Sequence, residues 1–269
     1  MNFSNTPKKF KRDKITFEVH LAEHCNLNCC GCDHFSPLAE PELTDIEEFT
    51  KDISRMGDIF SHECREIHLL GGEPLLHPEI NTFMKITRDK FSKGRILIVT
   101  NGLLLLSKAD DFWQSCHDNN ITVAVTRYPI KLDIDAIRKK AEAFDVEFEY
   151  YIGLENKISF RKEPLDLTGS QNPERSFAFC ERGNNCNFLR HGRLYNCTFT
   201  GNVHHFNKKF GTNIAITDYD YIDIYSDIDK DTILERLCKP VPACRYCEIQ
   251  GIKAGIQWHV SRCEISEWV

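Results

Sequence analysis

Residues 15–32, ITFEVHLAEHCNLNCCGC, join a strand pattern to a loop that contains four cysteines. Alternating apolar side chains predict a strand over Ile15–Leu21. In the loop after it, Cys25, Cys29 and Cys32 form a C-x3-C-x2-C pattern. Three thiolates on one short loop can bind three irons of a 4Fe–4S cluster and leave the fourth iron open, whereas electron-transfer clusters normally have four protein ligands. The loop therefore predicts a cluster that takes part in chemistry.

A zinc knuckle is the alternative for this loop. Zinc needs four ligands, usually from two C-x2-C-like pairs, and only Cys30 or His34 could supply the fourth locally. Cys30 lies outside the three-cysteine pattern, and we interpret it as a small buried hydrophobic residue.

Length, charge and hydropathy exclude several classes of protein. The 269 residues suffice for one large α/β domain, or for a smaller domain with an appended module. No apolar run is long enough to cross a bilayer, and the basic residues 1–14 lack the apolar segment of a secretory signal. The net charge of −6 argues against a nucleic-acid partner. We therefore predict a cytoplasmic protein with neither a membrane nor a nucleic-acid partner, and a flexible basic arm over residues 1–14.

The chain contains thirteen cysteines, which is a high number for a protein without a secretory signal. Disulfides are rare in a reducing compartment, and an odd number of cysteines fits a disulfide framework poorly. The cysteines therefore indicate metal ligation.

Strand-like and helix-like patterns alternate over about residues 15–165. The helix from 44 to 60 begins with Thr44-Asp45-Ile46-Glu47, which we interpret as a capping box. Strands are predicted at 15–21, 66–70, 96–100, 121–126 and 146–151, with a candidate sixth at 158–161; helices are predicted at 44–60, 78–90, 108–119 and 132–144. Repeated βα units predict a parallel sheet with helices outside, either an open sheet or a barrel.

The pattern changes after Pro164. Gly, Asn, Cys and short polar stretches dominate, and helical periodicity is found only around Thr232–Leu237. Seven of the thirteen cysteines lie in this part of the chain. We therefore predict a core domain over 15–168 and a small cysteine-rich module over 169–269, in which metal-tethered loops replace a large core.

Two further turns follow strands of the predicted sheet. Gly71-Gly72-Glu73-Pro74 comes directly after the second strand, and Thr100-Asn101-Gly102 comes directly after the third. In parallel α/β folds the carboxyl ends of the strands share one edge, where ligands bind. Paired glycines let the backbone approach a ligand closely, and the Glu73 carboxylate can neutralise an ammonium group. Both turns and the three-cysteine loop are therefore predicted to form one site.

These features resemble the radical S-adenosylmethionine (radical SAM) superfamily. The resemblance covers about residues 15–165 and rests on the three cysteines, on Gly71-Gly72-Glu73-Pro74, and on the βα order between them. It implies a partial (β/α)6 TIM-like barrel. It also implies that Cys25, Cys29 and Cys32 bind a 4Fe–4S cluster whose open iron chelates S-adenosyl-L-methionine, and that an electron donor such as flavodoxin or ferredoxin reduces the cluster.

The resemblance also implies the chemistry and the ligands of the cofactor. One electron cleaves the sulfur–C5′ bond, and the resulting 5′-deoxyadenosyl radical abstracts a hydrogen atom from the substrate. The turn from Gly71 to Pro74 would hold the methionine amino group, Asn101 lies in the neighbouring turn, and Thr126 could contact the ribose. Family members usually have an aromatic residue just before the third cysteine, where this chain has Gly31; Phe35 or the backbone alone would then hold the adenine.

Strand alternation predicts a polar barrel interior. Apolar side chains such as Phe17, Val19 and Leu21 face the helices, and the alternate positions then face the lumen. The predicted lumen set is Glu18, His20, His68, Glu149, Tyr151 and Arg161. A complete barrel fills its lumen with branched apolar side chains, so this set indicates room for a polar small-molecule substrate. We predict Arg161, Glu149, His20 and His68 as the proton or carboxylate handlers, although some of these residues could instead be paired structural groups.

A second cysteine group follows the boundary. A hairpin is predicted over residues 188–195 with Gly192 at its turn, and it would bring Cys180 close to Cys197. This pattern resembles the short "twitch" form of the auxiliary-cluster module of radical SAM enzymes. The longer "SPASM" form has a C-x2-C-x5-C-x3-C run that is absent here.

The ligands implied for an auxiliary 4Fe–4S cluster are Cys180, Cys197, Cys244 and Cys247. Zinc tetrathiolate is the alternative, since C-x2-C does not distinguish the two metals. Three cysteines are left over, and one of them could replace Cys180 or return a hydrogen atom to the substrate: Cys186, Cys238 and Cys263.

An auxiliary cluster favours loss of a second electron from the substrate radical. The sequence therefore predicts a radical SAM oxidoreductase, of dehydrogenase or epimerase type, acting on a sugar, an aminocyclitol or a nucleotide-linked sugar. The alternatives are an enzyme that modifies a peptide or a protein, and a non-catalytic iron–sulfur or zinc protein.

Overall fold

An eight-stranded, mostly parallel sheet organises the protein. The computed structural model describes residues 14–60, 63–183, 185 and 187–269. Its strands are β1 (Ile15–Ala22), β2 (Cys64–Gly71), β3 (Arg95–Thr100), β4 (Ile121–Val125), β5 (Phe148–Tyr150), β6 (Ser159–Lys162), β7 (Asn187–Arg190), β8 (Arg193–Tyr195), β9 (Tyr221–Asp223) and β10 (Lys253–Gln257). The sheet has the order β5-β4-β3-β2-β1-β7-β8-β9.

Seven α-helices accompany the strands in the described residues. They are α1 (Ile46–Phe60), α2 (Ile80–Lys90), α3 (Asp110–Asp118), α4 (Ile134–Ala143), α5 (Pro173–Phe179), α6 (Thr198–Phe210) and α7 (Lys230–Leu237). β1 to β5 and β7 run parallel, while β8 and β9 are antiparallel. The predicted α/β fold of partial-barrel type is confirmed. No helix in the described parts of the chain is long and apolar enough to span a bilayer.

The sixth parallel strand is not the predicted one. β6 pairs with β10 in a separate antiparallel ribbon, and β7 takes the sixth place by pairing with β1. The burial of the two segments explains the difference. β7 has the sequence NFLR and is buried at three of its four positions, as a strand inside a parallel sheet requires. β6 has the sequence SFRK and no fully buried residue.

One face of the sheet packs against α1 to α4. The alternation predicted for β1 is confirmed, since Phe17, Val19 and Leu21 lie in this core. Each large apolar side chain buried there contributes about 1.5–3 kcal/mol. The start of α1 differs from the predicted capping box. The Asp45 carboxylate accepts hydrogen bonds from the first-turn amides, and Thr44 instead donates to the carbonyl of His20 at 2.7 Å.

The second part of the chain contains a helix that the sequence analysis missed. α6 packs Phe199, Val203 and Phe206 into a second core with Phe35 and Trp268. The apolar spacing of 199, 203, 206 and 210 is helical, so the signal was present in the sequence. The predicted hairpin is confirmed as β7 and β8, which turn at His191 and Gly192. The boundary at 168/169 stays a prediction, and the predicted arm lies outside the described residues except for its last position.

Candidate active site

The three-cysteine loop leaves the carboxyl end of β1. Cys25, Cys29 and Cys32 are each partly exposed, and each thiol is close enough to another to affect its charge. Burial raises the pKa of all three to about 11, and the neighbouring thiols add to the shift. Three converging thiolates therefore need a cationic centre, and this donor set fits the three protein-bound irons of a 4Fe–4S cluster.

Cys30 differs from the other three thiols of the loop. It is only 6% exposed, and its side chain interacts with Glu267. Its backbone amide donates to the carbonyl of His259 at 2.9 Å, so the C-terminal segment holds the loop at this point.

The turn after β2 packs directly against the start of the cysteine loop. The amides of Gly72 and Glu73 donate to the carbonyls of Ala22 and His24 at 2.8 and 3.1 Å. A Cβ atom at Gly72 would lie 2.1 Å from the His24 carbonyl oxygen. Glycine is therefore required here, because any side chain would separate the two backbones.

Glu73 joins the ends of β2 and β3. Its side chain is fully buried and accepts hydrogen bonds from the Thr100 hydroxyl at 2.7 Å and from the Asn101 amide at 2.9 Å. The amide of Leu75 is a third donor, at 3.1 Å. Burial raises the pKa of Glu73 above its ordinary value, although these hydrogen bonds oppose the shift. The carboxylate thus holds the turn in shape.

Asn101 and Thr126 continue the same edge of the sheet. The side-chain amide of Asn101 donates to Asn26 at 2.7 Å and approaches the Cys25 sulfur at 3.7 Å. The Thr126 amide donates to the Thr100 carbonyl at 2.9 Å. The predicted turns and the loop therefore lie together at the carboxyl ends of β1 to β4.

Aromatic side chains from distant segments surround the loop. Phe35, one predicted replacement for an aromatic residue at position 31, is 2% exposed and lies in the second core. Phe160 of β6 lies against Gly31 instead, since a Cβ atom there would be 2.8 Å from its ring. Tyr128 and Trp258 approach the Cys29 thiol and favour its charged form, although burial still dominates its pKa. More than 90 residues of sequence separate these groups from the loop, and no local signal identifies them.

Polar residues occupy the other face of the sheet, as alternation predicted. His68 lies 3.8 Å from Glu18 and 3.2 Å from Glu66, and the Tyr151 hydroxyl is 3.4 Å from its Nδ1. His20 contacts His34 at 2.6 Å and Glu23 at 3.2 Å. Part of this face is apolar, however, and forms a small cluster of Leu70, Leu97, Val99 and Ala124.

Two of the residues predicted to handle protons or carboxylates, Glu149 and Arg161, lie away from the centre of this face. Glu149 is paired with Arg95 at 2.6 Å and keeps 31% of its side chain exposed. Arg161 does not lie in the sheet interior as predicted, because its strand, β6, pairs with β10 and is not part of the large sheet. Its guanidinium pairs with Glu181 at 2.6 Å and Glu163 at 3.3 Å, and it lines the cavity of the second cysteine group.

His68 makes the stability of the fold depend on pH. Burial disfavours its charge, but hydrogen bonds to Glu18 and Glu66 outweigh burial and raise its pKa from 6.5 to about 9. The resulting stabilisation is complete below pH 6.5 and is lost as the pH rises through 9. Between these values we expect the free energy of unfolding to fall by about 2 kcal/mol more in the parent protein than in His68→Gln. Urea denaturation at both ends of this range measures the difference, and equal slopes would contradict it.

The second cysteine group surrounds a cavity. Its lining includes all four predicted ligands: Cys180, Cys197, Cys244 and Cys247. The pKa of Cys197 and of Cys244 is raised to about 12, chiefly by burial and in part by the neighbouring thiols. The amide of Gly183 donates to the Cys180 sulfur at 3.0 Å. A set of four sulfurs around one cavity suits a fully ligated 4Fe–4S cluster, whereas these sulfurs are not spaced for a single zinc ion.

Two of the three left-over cysteines lie apart from this cavity lining. Cys238 ends α7, the Cys263 thiol contacts the Pro37 carbonyl at 3.5 Å, and Cys186 lies outside the described residues. Within the part of the chain that the structure describes, no three His, Cys, Asp or Glu side chains are spaced for a single metal ion.

The parallel sheet, with a three-thiol loop and a glycine turn at its carboxyl edge, defines an iron–sulfur enzyme that binds a small cofactor. Residues 19–140, which carry the three-cysteine loop and both turns, match the model of the radical SAM superfamily, so this part of the chain is a radical SAM domain. Membership implies a 4Fe–4S cluster and S-adenosylmethionine as cofactors.

Curated relatives match only part of the chain. GTP 3′,8-cyclase of Chlorobaculum tepidum is 29% identical over 102 residues, which are 38% of this chain and 30% of that protein. Molybdenum cofactor biosynthesis protein 1 of Dictyostelium discoideum is 30% identical over 105 residues, or 16% of its length. The chain thus spans less than a third of these relatives.

Solved structures match more of the chain and show a shared fold. BtrN in complex with AdoMet and 2-DOIA has a TM-score of 0.53 at 17% identity, over 88% of this chain and 94% of that one. AnSMEcpe with bound AdoMet has a TM-score of 0.52 at 13% identity, over 86% of this chain and 82% of that one.

Proposed function

We propose that this radical SAM enzyme oxidises a small polar substrate, such as a sugar, an aminocyclitol or a nucleotide-linked sugar, with the help of an auxiliary cluster. The observation that carries the proposal is a cavity between the two cysteine groups. Its lining includes Gly31 and Asp33 of the first loop together with Cys180, Cys197 and Cys247 of the second group. Both cysteine groups thus contribute residues to one cavity, although the three cluster cysteines of the first loop are not in its lining. This arrangement suits a substrate that loses a hydrogen atom near the first group and an electron to the second.

The cofactors supply a primary-carbon radical when an electron donor, of flavodoxin or ferredoxin type, reduces the first cluster. The residues of this chain bind and orient the cluster and S-adenosylmethionine. Cys25, Cys29 and Cys32 hold the cluster, and the backbone of residues 71–74 receives the methionine ammonium, since the Glu73 carboxylate is already bonded to three protein donors. Thr126 lies along the same edge, where it would contact the ribose.

The four residues predicted to handle protons or carboxylates lie in different surroundings and are therefore given different roles. Burial lowers the pKa of His20, so the imidazole is neutral at pH 7 and is the candidate proton acceptor. His68 is charged at the same pH, since its pKa is about 9, and it therefore donates hydrogen bonds. Arg161, beside the second cysteine group, is the candidate ligand for a substrate oxygen, and Glu149 lies at the end of the sheet.

Anaerobic reconstitution followed by a substrate screen tests the proposal. We expect about eight irons per chain, four for each cluster. Reduced protein incubated with S-adenosylmethionine and a panel of aminocyclitols, sugars and nucleotide-linked sugars should release one oxidised product for each 5′-deoxyadenosine. About four irons per chain, or 5′-deoxyadenosine formed without any oxidised product from the panel, would contradict the proposal.

One observation favours the peptide-modifying alternative. The β6–β10 ribbon is mostly exposed, and Ile158 beside it is 63% exposed. An open strand edge of this kind can pair with an extended peptide. A mass change in a peptide encoded beside this gene, and none in the small-molecule panel, would favour this function.

A further inference from the structure

A half-buried arginine lies between the two cysteine groups. The Arg182 Nε atom lies 3.4 Å from Asp33, next to the last cysteine of the first loop, and 3.3 Å from Glu163. Only 24% of the Arg182 side chain is exposed. It lines the shared cavity together with Cys180 and Cys197, and its charge favours the thiolate form of both cysteines.

We propose that Arg182 sets the reduction potential of the cluster held by the four-cysteine group and so makes this centre an electron acceptor. The inference rests on the proposed function, because it requires a redox-active cluster there. The potential of an iron–sulfur cluster depends on the net charge around it, on hydrogen bonds to sulfur and on solvent exposure. A guanidinium stays charged at every relevant pH, so it provides a constant positive charge beside two of the ligands.

The electron count of the oxidation shows why this charge matters. When a secondary alcohol becomes a ketone, one hydrogen atom leaves the carbon and ends in 5′-deoxyadenosine. The hydroxyl then loses its proton to a base, the carbon–oxygen bond becomes double, and one electron remains to be removed. That electron adds a negative charge at the four-cysteine group, and a neighbouring cation stabilises the added charge more strongly in a buried setting than in water.

Glu163 acts in the opposite sense. Its carboxylate pairs with Arg182 and disfavours the thiolate of Cys180. Removing the arginine should therefore lower the potential, and removing this carboxylate should raise it. A residue that only holds the fold together would not produce shifts of opposite sign from the two halves of one ion pair.

Redox titration of the reconstituted full chain, followed by electron paramagnetic resonance, tests the proposal. We expect Arg182→Met to lower the midpoint potential of the auxiliary cluster by at least ~59 mV, which corresponds to a tenfold change in the equilibrium constant of a one-electron reduction. The midpoint potential of Arg182→Lys should stay close to that of the parent protein, and the potential of Glu163→Gln should be higher than that of the parent. Arg175→Met removes the same charge from an exposed position on α5 and should change nothing.

Two results would overturn the inference and can be told apart. An auxiliary cluster with an unchanged potential in Arg182→Met would overturn the role of Arg182 alone. A parent protein with about four irons and only one reducible signal would overturn the auxiliary cluster of the proposed function as well. If Arg182→Met fails to fold, Glu163→Gln decides, because an unchanged potential in that variant also contradicts the inference.

Discussion

A Cys25→Ala variant should lose 5′-deoxyadenosine formation by more than about 100-fold. Even outer partners of a metal ligand change affinity or activity 10–100-fold, and Cys25 is one of only three thiols that converge in the first loop. Its thiol also contacts Asn101 of the neighbouring turn, so the substitution removes both an iron ligand and a link to the cofactor edge. Chromatography of the nucleoside products and iron analysis of anaerobic protein measure the effect.

Cys30→Ala is the matched control on the same loop. Cys30 is buried and interacts with Glu267, so its replacement should cost about 1 kcal/mol of stability and leave the cluster in place. The reverse result, with the cluster kept in Cys25→Ala and lost in Cys30→Ala, would assign the ligands differently. Retention of normal activity by both variants would favour a non-catalytic cluster site.

A Gly72→Ala variant should show the second large effect. The added methyl group would lie 2.1 Å from the His24 carbonyl oxygen and 2.8 Å from the Cys25 amide nitrogen. Backbone atoms cannot give way as a flexible side chain can, so the turn must move off the cysteine loop. We expect a loss of about 3 kcal/mol in stability and at least a tenfold weaker affinity for S-adenosylmethionine, which is ~1.4 kcal/mol.

Thermal unfolding and equilibrium dialysis of the reconstituted protein measure these two losses. Gly94→Ala is the control, because a Cβ atom there has no neighbour nearer than 3.7 Å. It should bind the cofactor normally. Equal affinities in the two variants would show that contact between the turn and the loop is not needed for cofactor binding.

Local alternation patterns predicted the strands of the sheet, except where a segment was too short for its pattern to show which strand it pairs with. Alternation placed Phe17, Val19 and Leu21 on the helix face, and the structure agrees. Only Phe160 is apolar among the four residues of β6, and such a segment does not specify which strand it joins. Arg161 was therefore placed in the wrong part of the molecule, because its location depends entirely on the partner of β6.

The position of the thiols was predictable for a different reason. Cys25, Cys29 and Cys32 lie within eight residues of one another, so a single tight loop must bring them together. Cys197 and Cys244 are far apart in the sequence, and chain spacing alone could not place them around one cavity. Their grouping followed from resemblance, and in the structure it depends on the hairpin and on the turn before Cys247.

The amino-acid sequence alone specified the βα order, the apolar sheet face and the first cysteine loop, because periodicity and short spacing act within a few residues. Only the tertiary structure decided which strand completes the sheet. It also decided that the buried Glu73 carboxylate is hydrogen-bonded within the protein, and that Arg182 lies between Asp33 and Glu163. These features depend on contacts between segments more than 100 residues apart, or on the burial of a charged group, and such interactions form only when the chain has closed into its three-dimensional fold.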